Sequence, residues 1–222
     1  QQEIAPVAKE LDRCKAFPYE IVKRLGELDL MGIPFPEEYG GAGADSLAYV
    51  LAVEELSRVD SSVAITVCAH TSLGTQPIYL YGSEEQKREW LPRLCSGERL
   101  GAFGLTEPEA GSDAGNTQTR AARDNGEWVI NGAKQFITNA GTDISGVVVI
   151  TAVTGKPDDA GAARSGEAGC QAGGRPAREI SNLLIPNGTP GYEQGEPYRK
   201  MGWHASDTRP LMFTDCRVPE EN

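Results

Sequence analysis

The spacing of apolar residues changes near residue 100, and this change restricts the chain to a mixed architecture. Before it, apolar side chains recur at helical intervals. Ile21, Leu25 and Leu28 share one face, with Lys23, Arg24 and Glu27 off it. Pro34 and Pro36 then end that helix, because each disfavours helical geometry in the residue before it. The run Glu38-Tyr39-Gly40-Gly41-Ala42-Gly43 follows as a flexible turn, and a second helix spans Ser46 to Arg58. Ser83 opens a third helix, with Gln86 placed to bond back to it, Glu84 and Glu85 in the first turn, and Gly97 as the stop. Val63, Ile65 and Val67 alternate like a strand, yet the segment to Tyr81 has the length of a helix, so periodicity leaves both readings open.

Beyond residue 100 the pattern is that of strands. Trp128-Val129-Ile130, Asn131-Gly132 and Ala133 to Thr138 read as a hairpin, since Asn-Gly supplies the two left-handed residues of a type I′ turn. Val147 to Val153, Leu183 to Ile185 and Leu211 to Phe213 read as buried strands. The Gly/Ala-rich stretch from Thr154 to Arg178 can bury little and is expected to be a mobile loop. The fold class is therefore α+β: an all-helical N-terminal domain over residues 1–102, then a small antiparallel β-barrel-like domain over residues 103–222.

A chain of 222 residues with 39% apolar and 24% charged residues has the composition of an ordinary globular protein. It carries 21 basic and 32 acidic residues, a net charge of −11, which makes it a poor general binder of nucleic acid. Neither a long apolar run nor a basic-then-apolar leader is present, so no membrane span or retained signal peptide is expected. The start at Gln1 suggests a processed or cut beginning. Cys14, Cys68, Cys95, Cys170 and Cys216 form no C-x-x-C pair, which disfavours a disulfide framework or a structural zinc site. Cys68 and His70 are read as a buried thiol beside an ordinary histidine, and no metal site is expected. Scattered single thiols fit a reducing compartment.

Two segments carry candidate chemistry. Phe103-Gly104-Leu105-Thr106-Glu107-Pro108-Glu109-Ala110-Gly111-Ser112-Asp113-Ala114 reads as an extended piece turning through Pro108 and Gly111. Thr106, Ser112 and backbone N–H groups there can meet a carbonyl or a phosphate, although a surface turn with local Ser and Asp bonds accounts for it equally well. In Gln135-Phe136-Ile137-Thr138-Asn139-Ala140, an aromatic ring and a hydroxyl two residues apart share a strand face, so a flat heterocycle can stack on one and bond the other. On the residues alone, core packing of Phe136 is the stronger reading.

Leu105-Thr106-Glu107-Pro108-Glu109-Ala110-Gly111-Ser112-Asp113, together with Asn131-Gly132-Ala133-Lys134-Gln135-Phe136-Ile137-Thr138-Asn139, resembles the paired signatures of the acyl-CoA dehydrogenase family. Further segments resemble it in the right order: Leu30 to Pro34 with Tyr39 to Gly43, Tyr81 to Lys87 with Leu91-Pro92, Lys200 to Trp203 with Ser206 to Arg209, and Phe213 to Pro219. The resemblance implies an FAD enzyme of fatty acid β-oxidation that removes two hydrogens across the Cα–Cβ bond of an acyl-CoA. Electrons would pass to electron-transfer flavoprotein, and the assembly would be a homotetramer in the cytoplasm or, in a eukaryote, the mitochondrial matrix. Carried over by position, Phe103, Leu105, Thr106, Gly111, Ser112, Phe136, Ile137 and Thr138 would line the flavin. Ser112 would also touch the thioester. Read on the residues, Arg199, Lys200, His204 and Arg209 form a local basic grouping near the substrate end, which can meet CoA phosphates or form a solvated surface equally well. The family often has Trp where this chain has Phe136, so the ring plane survives and the indole N–H is lost.

The same resemblance places the catalytic base, a Glu, in a third, helical domain, which would begin where the sequence reaches Val218-Pro219-Glu220-Glu221-Asn222. No base is therefore assigned here, and Glu107 and Glu109 are read as parts of the flavin turn. Two alternatives share these motifs: a flavin or acyl-CoA-binding subunit whose partner chain supplies the base, and an acyl-CoA oxidase or flavin monooxygenase on the same scaffold.

Overall fold

A computed structural model describes residues 2–155 and 178–222. Of the stretch expected to be a mobile loop, only Thr154, Gly155 and Arg178 fall within the described residues; Cys170 lies outside them.

The first half of the chain is helical. Helices α1 (Ala5–Cys14) and α2 (Tyr19–Glu27) lead into a short 3-10 turn at Glu37–Tyr39. α2 buries Val22 and Leu25, whereas Leu28 caps its end and is 48% exposed, so the apolar face is turned from the expected one. The glycine-rich run after Tyr39 is not a loose turn. The N–H groups of Gly41, Ala42 and Gly43 donate to the carbonyls of Pro36, Gly32 and Phe35.

Helix α3 (Ser46–Val59) starts at Asp45, whose carboxylate accepts from Ala48 N at 2.8 Å. Such a cap contributes about 1 kcal/mol by satisfying an orphan donor. The segment left open by periodicity is helical throughout: α4 (Ser61–Cys68), a π-helical stretch at Ala69–Thr75, then α5 (Gln76–Tyr81). Val63 and Val67, four residues apart, are buried while Ile65 is only half-buried, which is the pattern of one helix face. Helix α6 (Glu84–Cys95) opens with the expected capping box: Gln86 N donates to Ser83 Oγ at 3.2 Å, and Ser83 N donates to Gln86 Oε1 at 2.8 Å.

The second half builds strands β1 (Leu100–Gly104), β2 (Arg120–Asp124), β3 (Glu127–Thr138), β4 (Ser145–Gly155), β5 (Glu179–Pro186), β6 (Tyr192–Gln194) and β7 (Thr208–Pro219). Among the described residues they form one sheet in the order β1-β4-β2-β3-β7-β6, with β5 also paired to β4. The sheet is mixed, not purely antiparallel as expected, because β1 and β2 run parallel to β4.

The tight turn also lies elsewhere. It is Asn125-Gly126, with φ of 54° and 82°, that joins β2 to β3, while Asn131-Gly132 sits inside β3. There the register against β7 shifts between Ile130 and Gly132, and Asn131 Nδ2 donates to Asp215 Oδ1 while its Oδ1 accepts from Asp215 N. Both dipeptides suit a type I′ turn, and only the pairing of Asp124 with Glu127 decides between them.

One apolar cluster fills the sheet interior around Ile130, Ile150, Ile185 and Leu211. A second joins Phe35, Leu91 and Leu94 of the helical layer to Val147 and Val149 of β4. His70 stitches the seam between layers. Its Nδ1 accepts from Gly101 N at 3.0 Å, which fixes the proton on Nε2, 3.0 Å from Leu94 O. Cys68, by contrast, is only half-buried, with its thiol 3.9 Å from Ser72 Oγ; among the described residues no group of three or more side chains is placed to hold a metal ion. No helix among them is long and apolar enough to cross a membrane.

Candidate functional site

Past β1 the chain runs out along β3 before turning. Gln135 N donates to Thr106 O at 2.8 Å, so the two segments singled out in the sequence are directly bonded. Glu107 and Ala110 then close a tight turn, each N–H donating to the other's carbonyl, at 2.9 and 3.2 Å. From Ala110 the chain continues through exposed Gly111 and Ser112 into a 3-10 turn at Ala114–Asn116.

Beneath this turn lies a buried ion pair that sequence reasoning passed over. Lys134 Nζ is 2.7 Å from Glu107 Oε1, with side-chain exposures of 0% and 2%. The ammonium also donates to Leu105 O at 3.3 Å, Thr117 Oγ1 at 3.3 Å and Thr151 Oγ1 at 3.0 Å. Glu107 accepts in addition from the Thr117 hydroxyl, from Gln118 N at 2.5 Å and from Thr119 N at 3.1 Å. Burial alone would raise the Glu107 carboxyl, but Lys134, Thr117, Thr119 and Gln118 outweigh it and hold the carboxyl down at about 2. Burial draws the Lys134 ammonium below its ordinary value, against the pull of Glu107. A carboxylate so committed is a poor proton acceptor, which agrees with leaving Glu107 out of catalysis. The signal was present in the sequence as one acid and one base, each embedded in a segment already singled out.

Phe136 departs from the core packing that its residue type alone suggests. It is 59% exposed, not core-packed, and its backbone is left-handed at φ 61°. The register of β3 against β7 slips between Lys134 and Ile137, so the bulge pushes Phe136 outward while Ile137 is buried at 3% exposure. The Phe136 ring lies 5.0 Å from that of Tyr198, tilted by 39°. The half-exposed Thr138 follows, paired with Thr208 across the ladder.

The nominated residues thus divide. Leu105, Thr106, Phe136 and Thr138 sit on joined segments with exposed or half-exposed side chains. Gly111 and Ser112 stand on the exposed arm of the turn. Phe103 packs half-buried against the Phe35–Leu91 cluster, and Ile137 faces the sheet core. Arg209 pairs with Ile137 across β3 and β7, but its guanidinium is engaged: Nε meets Asp207 Oδ1 at 2.7 Å, and another nitrogen donates to Gly195 O at 3.3 Å. Lys200 Nζ is likewise engaged with Ser206 O at 2.6 Å and Thr208 Oγ1 at 2.9 Å, and His204 pairs with Asp12. These basic groups fasten the segment from Pro197 to Arg209 more than they form a free cationic patch.

The Thr106, Ser112 and Thr138 hydroxyls make no hydrogen bond to any described residue, and nothing described accepts from Thr106 N–H. An exposed ring in a strained backbone, an apolar Leu105 and unengaged donors together form a surface that can receive a flat, polar-edged molecule.

Known proteins resemble the chain in sequence and in fold. The family model for the N-terminal domain of acyl-CoA dehydrogenases matches residues 1–98, and that for the middle domain matches residues 102–216. A probable acyl-CoA dehydrogenase of Bacillus subtilis is 46% identical over 222 residues, covering 100% of this chain and 54% of that protein. A chain in the solved structure of an electron transferring flavoprotein from Acidaminococcus fermentans superposes with a TM-score of 0.86 at 40% identity, covering 100% of this chain and 53% of that one. An acyl-CoA dehydrogenase from Bacillus anthracis, solved with FAD, matches at a TM-score of 0.83 and 34% identity, covering 99% of this chain and 34% of that one. The chain spans about half the length of the curated relatives it matches. With both family models matched in order across nearly its whole length, the chain belongs to the acyl-CoA dehydrogenase family.

Proposed function

We propose that these residues form the helical support and the flavin and thioester side of an FAD-dependent acyl-CoA dehydrogenase that passes its electrons to electron-transfer flavoprotein. The observation that carries the reading is the bonded junction of Thr106 with Gln135, beside an exposed Phe136. The residues present fit an isoalloxazine: Phe136 and Leu105 offer apolar contact, while Thr106 and Thr138 offer donors to polar ring edges. The FAD-bound relative from Bacillus anthracis supports the cofactor, and the Acidaminococcus fermentans structure supports the acceptor.

When bound, FAD supplies a two-electron acceptor for the hydrogen leaving Cβ. The chain's own part is to orient and to exclude water. Ser112 on the turn donates toward the thioester carbonyl, favouring the enolate character that develops as the α-proton leaves. Thr106 and Thr138 hold the ring edges, and Phe136 fixes its plane. Removal of the α-proton is not assigned to any described residue. Glu107 is tied to Lys134, and in the family resemblance the base belongs to a helical domain that residues 1–222 do not include. Arg209, held by Asp207 and Gly195, orders the segment beside Ile137 and stands at the substrate end of the sheet.

The test is made on the full-length protein. It should purify yellow or take up FAD, and its flavin absorbance should bleach anaerobically on addition of a saturated acyl-CoA. A colourless protein that stays inert after FAD is added would overturn the reading. Reduced protein that hands its electrons to oxygen as fast as to electron-transfer flavoprotein would mark it as an oxidase.

A further inference from the structure

Lys134 does more than neutralise Glu107. Its ammonium donates to Leu105 O, and that carbonyl belongs to the same peptide unit as the Thr106 N–H. A charge-assisted bond to a peptide oxygen draws electron density toward it and makes the N–H at the other end of the unit a stronger donor. This N–H is one for which no described residue is an acceptor, and the ammonium behind it is fully buried, where its field is weakly screened. Glu107 pairs with the same ammonium at 2.7 Å and tempers its charge.

We infer that Lys134 is a positioning and polarising residue, which acts through the Leu105–Thr106 peptide to strengthen the Thr106 N–H as a donor to the electron-rich edge of the bound flavin. The inference rests on the flavin reading above and adds to it a named source of electrostatic tuning. Reduction places more electron density on the ring, so a stronger donor favours the reduced form over the oxidised one. Glu107 opposes this effect, because a negative charge nearby disfavours the reduced form. The two partners of one ion pair should therefore move the flavin in opposite directions, although both hold the same turn together. A purely structural pair would not do so.

The experiment compares full-length Lys134→Met and Glu107→Gln with the parent at pH 6, where an unpaired Lys134 keeps its proton more readily. FAD affinity, the oxidised flavin spectrum and the two-electron midpoint potential are measured, with melting temperature alongside. Leu94→Ala, a buried change in the helical layer that alters no charge, serves as a destabilised control. Lys134→Met is expected to weaken binding of reduced flavin about ten-fold more than that of oxidised flavin, a fall of about 30 mV. Glu107→Gln is expected to raise the potential, and Leu94→Ala to leave it unchanged. Should Lys134→Met fail to fold, Glu107→Gln decides alone, a rise supporting the inference and no change or a fall overturning it. Potentials that fall together in both variants would also overturn it. If the parent binds no FAD, the functional reading fails first, and that result is separate from any of these.

Discussion

The Lys134 ammonium and the Glu107 carboxylate, 27 positions apart in sequence, meet at 2.7 Å under the turn that follows β1. Each is held by further partners, so neither can be removed without stranding the other. Lys134→Met should cost about 3–5 kcal/mol of stability, the usual result of leaving a buried charge uncompensated. The double variant Glu107→Gln with Lys134→Met should lose less than the sum of the singles, because it strands no charge. Urea denaturation of the three proteins checks this, and strict additivity would contradict it.

The same pair sets part of the acid limit. With the Glu107 carboxyl held at about 2 in the fold against an ordinary 4.5, its contribution is fully present above pH 4.5 and is lost as pH falls toward 2. Stability measured across that window should fall with a slope that Glu107→Gln reduces.

His70 governs the window above it. Complete burial, partly offset by its bond to Leu94 O, lowers its value from 6.5 to about 4. A base that is neutral in the fold and protonated when unfolded loses stability as pH falls. The His70 contribution is therefore intact above 6.5, and about 3 kcal/mol is gone once pH reaches 4. Of the two histidines in the chain, His204 is raised instead, chiefly by its bond to Asp12. NMR titration should show one imidazole protonating above 6.5 and the other not until near 4.

Gly74 marks where the π-helical stretch touches β1. A Cβ placed there would stand 2.2 Å from the Gly101 carbonyl carbon, and backbone cannot yield as a flexible side chain can. Gly74→Ala should destabilise the protein by more than about 2 kcal/mol through forced separation of the layers. A melting temperature equal to that of the parent would show the contact to be looser than described.

Phe136 separates stability from binding. Its φ of 61° costs a non-glycine residue roughly 1 kcal/mol, and the ring buries little, being 59% exposed. Phe136→Gly should leave stability unchanged or slightly raised while FAD affinity drops about ten-fold or more. Equal losses in both would mean that the ring serves packing with Tyr198.

Much of this was legible in the sequence, for reasons that differ by element. The capping box at Ser83 and Gln86 is a local device, complete within four residues, so its reading held in the structure. Strand positions such as Val147 to Val153 held because burial on both faces leaves a continuous apolar run. The hairpin was misplaced because Asn125-Gly126 and Asn131-Gly132 carry the same turn chemistry, and their difference lies in pairing across β2, β3 and β7. On the residues alone Phe136 reads as core because an aromatic ring in a strand is most often buried, whereas the bulge before Ile137 turns it outward. The Lys134–Glu107 pair escaped notice since nothing local in either segment requires the other. The helix over Ser61 to Tyr81 stayed open because its first turns alternate by coincidence of Val63, Ile65 and Val67.

The account stands on the two bonded segments forming a wall for the flavin ring. A crystal structure of the full-length protein loaded with FAD addresses this most directly. The isoalloxazine should lie against Leu105, Thr106, Phe136 and Thr138, with Thr106 N–H within hydrogen-bond reach of a ring acceptor. A ring seated away from both segments, with Phe136 still open to water, would contradict it.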